Sequence, residues 1–271
     1  MSRTLVAIPV YNEAKYVRRV LDRVLSFAQH VLVIDDGSTD DTPHYLADAP
    51  VDMIRHVRNR GYGRAMRDSF RWAIHEGYDW LITMDCDEQH EPESIPHFIK
   101  AAARLEVDVI SGSRYMDHDS HGHDVSAAPA DRRAINRTIT REINDRFAGL
   151  LGATITDAFC GFKAYRVEAL RSLRPSVSGY AFPMQFWVQA AARGLRVAEL
   201  PVSLIYNDPN RTFGEVLDNP EIRLAHYRQV MHREICRQAD HLPREALAGL
   251  DICGTRAMRR QGESVMVDEK A

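Results

Sequence analysis

The chain has 271 residues, 45% of them hydrophobic and 27% charged, with a formal net charge of −3. That is long enough for one large domain with a full core, and the slightly acidic balance excludes a general polyanion binder, so no nucleic-acid partner is expected. No apolar run reaches the ~18–20 residues of a membrane helix, and Cys86, Cys160, Cys236 and Cys253 lie too far apart for a zinc or disulfide framework, which leaves reduced thiols and a cytoplasmic setting.

The opening "MSRTLVAIPV" runs straight into a strand, with no signal-peptide h-region. Up to residue 112 the chain alternates β-branched runs with amphipathic segments. "TLVAIPV", "VLVIDD", "VDMIRHV", "WLITMD" and "VDVISG" predict strands, and their weak alternation predicts burial on both faces. "EAKYVRRVLDRVLSFA", "DDTPHYLAD", "GRAMRDSFRWAIHEG" and "PESIPHFIKAAARL" have helical spacing between them, with Pro92 suited to a first turn and Gly77 to a helix end. Repeated β-α-β units imply an α/β fold with a mostly parallel central sheet, helices on both faces, and ligands beyond the strands' carboxyl ends.

After residue 113 comes a long polar loop, "RYMDHDSHGHDVSAAPAD", of a length that marks a functional segment. Its His118, His121 and His123 fit no standard metal spacing, and a solvated loop is the favoured reading. The helix "RRAINRTITREINDRFAGLL" follows, with Ile135, Ile139, Ile143 and Phe147 in one apolar row. Its Arg133, Arg137 and Arg141 form a second row, open equally to solvent and to a phosphate. Then come "CGFKAYR", a helix through "FPMQFWVQAAARG", a strand near "LRVAELPVS", the loop "YNDPNRTFGE" and a last helix. No internal repeat or linker divides the chain, so one domain over 1–235 and a helical or disordered tail over 236–271 are expected.

The distinctive stretches sit at strand ends. In "TMDCDEQHEPE", Asp85 and Asp87 share one side of a strand's continuation while Cys86 points the other way. Two carboxylates with the Gln89 amide are hard oxygen ligands for Mg²⁺ or Mn²⁺, unless they only turn and cap the chain. Glu91 and Glu93 fall at the next helix start, where negative charge suits the dipole. "IDDGSTDD" can accept from a base or ribose, and serves equally as a strand–turn–helix cap. "NRGYGRAM" is a weak phosphate loop whose glycines fit close packing better. No G-x-x-x-x-G-K-[ST], G-x-S-x-G or H-E-x-x-H occurs.

In this order the motifs resemble those of family-2 glycosyltransferases with the GT-A (Rossmann-like) fold, most of all the dolichol-phosphate mannosyltransferase, or polyprenol-phosphate-mannose synthase, branch. The resemblance spans about residues 4 to 215. Through "PVYNE" it implies that Pro9, Tyr11 and Glu13 line the nucleotide pocket, and through "VIDDGSTD" that Ile34 and Asp36 contact base and ribose. Through "MDCDEQH" it makes Asp85, Asp87 and Gln89 the metal set and adds Cys86 to the donor contacts. "GSRY" implies that Arg114 touches the diphosphate or the sugar. "RRAINR" implies that Arg132 and Asn136 hold the acceptor phosphate. "TDAFCGFKAY" matches a D-x-x-S-G-F-R segment, with Asp157 at its start, Cys160 for Ser, and Lys163 for Arg as a further phosphate ligand. Asp87, Arg114 and Asp157 make up the implied catalytic set.

Two departures fall on the acceptor side. The acid of an F-Q-x-E segment is Gln185 here, and an R-x-x-G-x-S-K motif is replaced by "YNDPNRTFGE", leaving Arg211 as the phosphate ligand there. Between Glu168 and Glu199 there is no Asp or Glu. A hydroxyl acceptor usually needs a positioned base, whereas a phosphate monoester, with its second pKa near ~6, is already anionic. The expectation is therefore inverting transfer of a hexose from GDP-mannose, or less favourably UDP-glucose, to a polyprenyl monophosphate, assisted by a divalent cation and in reversible contact with the cytoplasmic membrane face. The alternatives are transfer to a soluble hydroxyl acceptor and nucleotide-sugar binding without turnover.

Overall fold

The computed structural model describes residues 2–116, 128–206, 212–214 and 216–250. In chain order the elements are β1 (Thr4–Val10), α1 (Val17–Leu25), β2 (Val31–Asp35), α2 (Thr42–Leu46), β3 (Asp52–Arg55), α3 (Tyr62–His75), β4 (Trp80–Thr83), α4 (Ile95–Arg104) and β5 (Val109–Ser113). Then follow α5 (Ala130–Leu151), β6 (Lys163–Arg166), α6 (Val167–Leu170), α7 (Phe182–Ala192), β7 (Val197–Pro201) and α8 (Pro220–Arg237).

Strand alternation sorts the core into two layers. Leu5 and Ala7 of β1 with Leu32 and Ile34 of β2 pack toward α3, α5, α7 and α8. Val6, Ile8 and Val10 with Val31 and Val33 pack toward α1, α2 and α4. The row Ile135, Ile139, Ile143 and Phe147 of α5 is buried in the first layer. At about 1.5–3 kcal/mol for each such side chain, that face belongs to the core. Pro92 opens a 3₁₀ turn leading into α4, and Gly77, at φ 68°, ends α3.

The seven strands lie in the order β3-β2-β1-β4-β6-β5-β7. β1, β2, β3 and β4 run parallel, as does the β5–β7 pair. Two expectations change. β3 is an edge strand with mostly exposed residues, so it is not buried on both faces. β6 is antiparallel to both its neighbours, β4 and β5. The chain leaves β5 at the carboxyl edge of the sheet, makes its excursion through α5, and re-enters at that same edge, so it can only run back down. This return carries residues 157–162 into the edge where ligands bind.

The expected boundary at 235 falls within α8, and Leu242 and Ala246 beyond it are buried in the same core layer as α5. Residues 251–271 and the histidines of the 117–127 segment lie outside the described residues.

Candidate active site

The strand order reverses at β1: the chain steps outward through β2 and β3, then returns to place β4 on the other side. Such a switch point opens a crevice beyond the carboxyl ends, flanked here by the segments after β1 and β4. The segment after β1 is sewn to the one after β2. Asn12 and Glu13 donate their N–H groups to Ser38 Oγ and Thr42 Oγ1, at 2.9 and 2.8 Å, and Thr39 N–H donates to Asn12 Oδ1 at 2.8 Å. Pro9 is half-buried, Tyr11 exposed and Glu13 buried along this wall.

The carboxylates of "IDDGSTDD" turn out to be turn-makers and clamps. Asp35 accepts from Ser38 N–H at 2.8 Å and Asp40 from Thr42 N–H at 3.0 Å. Asp36, buried, accepts from the N–H groups of Arg60 and Gly61 at 2.9 and 2.7 Å and pairs with His56 Nδ1 at 2.5 Å. His56 Nε2 lies 3.0 Å from Asp68, which Arg64 also holds at 2.6 Å. Asp36 thus fixes the "NRGYG" loop. Gly61 has φ 91°, and a Cβ there would stand 2.5 Å from Ser178 O; one on Gly63 would collide with Val177 O. The glycines serve close packing, as favoured from sequence.

Ile34 is buried in one core layer and Cys86 in the other, so a nucleotide contact at either would be through the main chain.

β4 stops at Thr83 and Glu88 has φ 58°, so residues 84–90 form a turn rather than a strand. The alternation nonetheless persists far enough to bury Met84 and Cys86 and to leave the Asp85 side chain 33% exposed. Asp87 is 5% exposed, and its Oδ1 accepts from Gln89 N–H at 3.0 Å. Glu93 opens the next helix and pairs with Arg23 at 2.5 Å. Gly161 lies directly against the Asp85 carboxylate, where a Cβ would stand 2.6 Å from Oδ2. Buried His90 accepts Asp85 N–H at 3.0 Å, and its other ring nitrogen faces Cys160 Sγ at 4.0 Å. Among the described residues no three or more His, Cys, Asp or Glu side chains gather as a metal cluster. Two carboxylates and an amide still fit a hard cation whose shell is completed by substrate phosphates. The buried amide nitrogen of Gln89 has no hydrogen-bond partner in the protein.

Across the crevice, Asp157 is the hub. It is fully buried, and Arg114 grips it by Nε at 2.6 Å and Nη2 at 3.0 Å. The Arg114 N–H at 3.3 Å, Asn136 Nδ2 at 2.8 Å and the N–H groups of Phe159 and Cys160 at 3.0 and 3.1 Å complete its shell. Burial pushes the Asp157 carboxyl up, but the Arg114 guanidinium, with Lys163 and Asn136, outweighs it and holds the group well below the usual carboxylate range. Glu199 of β7 anchors the neighbouring backbone, accepting from Thr156 N–H at 2.8 Å.

Three of the implied residues are engaged within the protein. Asp157 holds Arg114, and its carboxylate lone pairs are taken up by donors. Asn136 donates one amide N–H to Asp157 and accepts from Thr140 Oγ1 at 2.8 Å. Lys163 is buried, donates to Cys160 O and lies over the Trp187 ring, so its ammonium faces inward, and burial lowers its pKa. Arg132 differs. Its guanidinium lies over the rings of Phe213 and Tyr206, at 4.5 and 5.2 Å, on the crevice rim. Arg211 lies outside the described residues.

The family model described as Glycosyl transferase family 2 matches residues 5–174, which include both carboxylate turns and the Arg114–Asp157 hub. The chain belongs to glycosyl transferase family 2. This family-2 chain is 35% identical to the polyprenol monophosphomannose synthase of Mycolicibacterium smegmatis, over 74% of its own length and 77% of the relative's. It is 30% identical to the undecaprenyl-phosphate mannosyltransferase of Micrococcus luteus, over 75% and 84%. Among solved structures it resembles the glucosyl-3-phosphoglycerate synthase of Mycobacterium tuberculosis in complex with Mn²⁺, UDP and glucosyl-3-phosphoglycerate. The TM-score is 0.64 at 19% identity, covering 89% of this chain and 81% of that one. At that identity the likeness speaks to the fold.

Several residues of the family-2 site escape sequence reasoning. His90 stands inside the D-x-D-x-Q-H stretch, so its letter is visible, but its bond to Asp85 N–H is not. Gly161 stands in the D-x-x-S-G-F-R match, so its letter is visible too but its contact with Asp85 is not, and Glu199 carries no signal short of the strand pairing that brings it in. Gln185 changes meaning. It is buried, accepts from the N–H groups of Ser176 and Val177 at 2.7 and 2.8 Å, and donates to Glu234 Oε2 at 2.7 Å. An acid there would lie in the core, so its absence says nothing about a catalytic base.

Proposed function

We propose that this chain transfers a hexose, mannose before glucose, from a nucleoside-diphosphate sugar to a polyprenyl monophosphate, with inversion at the anomeric carbon. The names of the two relatives above support the acceptor class. The observation that carries the reading is the saturation of Asp157: the carboxylate that faces the acceptor side is filled by cationic and N–H donors, so it cannot take a proton from a hydroxyl nucleophile. A phosphate acceptor arrives already anionic and needs no such help.

In this mechanism an oxygen of the acceptor phosphate attacks the anomeric carbon as the bond to the donor diphosphate breaks, and that diphosphate leaves with the electron pair. Asp85, Asp87 and Gln89 would hold a divalent cation against the diphosphate, and when bound it supplies Lewis-acid stabilisation of the leaving group's charge. Arg114, locked in orientation by Asp157, offers a fixed positive charge toward the reacting groups at no reorganisation cost. Its pKa is raised, burial being outweighed by the Asp157 carboxylate, so it stays charged. Arg132 at the rim would meet the acceptor phosphate. Pro9, Tyr11, Glu13 and the main chain near Asp36 would line the nucleotide. Among the described residues no helix is long and apolar enough to cross a membrane, and contact with the bilayer that holds the acceptor would be peripheral.

The test is transfer of labelled sugar from GDP-mannose or UDP-glucose to a long-chain polyprenyl phosphate with Mg²⁺ or Mn²⁺. A glycolipid product extractable into organic solvent, abolished by EDTA, is expected. No product from either donor with either metal, or full product in EDTA, opposes the reading.

A further inference from the structure

Side chains from separate parts of the chain line up along one rim of the crevice. The ring of Tyr62, at the start of α3, stacks on Tyr180 with centroids 6.3 Å apart. Tyr180 meets Phe213 edge-on at 5.6 Å. Phe213 in turn lies beneath two guanidinium groups, those of Arg132 and Arg223, each 4.5 Å from the ring centre. Arg223 is itself buried and bonded to Asp131 and to Leu217 O, which pins the Phe213 segment between α5 and α8.

Both ends of this aromatic run are anchored to the reaction site. At the near end, Gly61 is held by Asp36 and Arg64 N–H donates to Ser178 O at 3.2 Å, so the loop bearing Tyr62 and the segment leading to Tyr180 are fixed together. At the far end, Arg132 precedes Asn136 by one turn of α5, and Asn136 holds Asp157. The rim therefore bridges the same two sides as the crevice floor.

What the rim offers is the exposed ring of Tyr180, then the Arg132 cation beside Phe213. Tyr180 is 45% exposed, and an open aromatic surface is stabilised by apolar cover. An unsaturated hydrocarbon with a phosphate at one end matches both parts, since its chain lies on the rings and its anion on the guanidinium.

We propose that the Phe213–Tyr180 part of this rim is the rail on which the acceptor's hydrocarbon chain lies, the first isoprene units covering Phe213 and the exposed Tyr180 ring while the terminal phosphate meets Arg132. This rests on the polyprenyl-phosphate reading and assigns the lipid its path. The experiment compares acceptors with one and with three isoprene units, prenyl and farnesyl phosphate, at saturating donor. In the wild type, kcat/KM rises about tenfold with the longer chain, the size expected from covering a few more methylenes. Tyr180→Ser cuts that gain to about twofold or less without changing the donor KM, and Tyr180→Phe, which keeps the ring, restores it. Phe213→Leu reduces the gain as well. Retention of the full gain by Tyr180→Ser, or a wild type indifferent to chain length, overturns the rail. A wild type that glycosylates neither phosphate overturns the acceptor reading itself, and the rail falls with it.

Discussion

Asp157 and Arg114 illustrate how burial converts a plausible base into a scaffold. The Asp157 carboxylate is neutralised in place by six donors. Its removal leaves the Arg114 charge uncompensated in a site where breaking a buried pair costs about 3–5 kcal/mol. Asp157→Asn should therefore lower Tm by several degrees and reduce kcat through a misplaced Arg114, while the shape of the pH–rate profile stays that of the wild type. Loss of the acid-side limb of that profile would instead restore Asp157 as the base. Because its folded pKa lies below the ~3.9 of an unfolded aspartate, the stability it contributes is fully present above about pH 5 and is lost only as pH falls through the folded value. Thermal stability should accordingly show no step from this pair between pH 5 and 8. Asp87 makes the opposite case, since its proposed partner is a cation outside the protein. Asp87→Asn should keep the wild-type Tm within a degree or two yet lose on the order of a hundredfold or more in turnover. Wild-type turnover by that variant would remove the carboxylate from the metal set.

At the scale of elements, the antiparallel β6 decides what meets what. It inserts between β4 and β5 and so presses Gly161 onto Asp85 and brings Asp157 beneath Arg114. Gly161→Ala is the direct probe, since its Cβ would stand 2.6 Å from Asp85 Oδ2. It should weaken Mn²⁺ dependence about tenfold or more in apparent activation constant, with a smaller effect on Tm, and unchanged Mn²⁺ activation would show that Asp85 can yield. Much of this layer was readable beforehand. The first strand was bounded at the residues observed, and the helix of 130–151 was evident from its isoleucine row, because those signals are local and periodic. Asp85 and Asp87 were read on a strand's continuation, where the chain instead turns, although the alternation of buried and open side chains holds through Cys86. The direction of β6 was not readable, for four residues of "KAYR" look the same in a parallel or an antiparallel ladder. Nor were the partners of Asn136 and Lys163. The bond from Asn136 to Asp157 spans 21 residues, and Lys163 turns inward to Cys160 O and the Trp187 face.

For the whole molecule, one half of the crevice is made by the first four strands and their loops, the other by residues from α5 onward. The donor half rests on turns stitched by Asn12, Asp36 and His56. The acceptor half rests on the Asp157 hub and on Arg132 and Phe213 at the rim. The central claim is that the second half receives an anion that needs no base. It is tested most directly by offering the purified protein, with GDP-mannose and Mg²⁺, a polyprenyl phosphate and the matching polyprenyl alcohol across pH 5 to 8. The account predicts product from the phosphate alone, with a rate that climbs as the acceptor's second ionisation near ~pH 6 is passed and then levels off. Transfer to the alcohol at a comparable rate, governed by an ionisation of the protein, would contradict it.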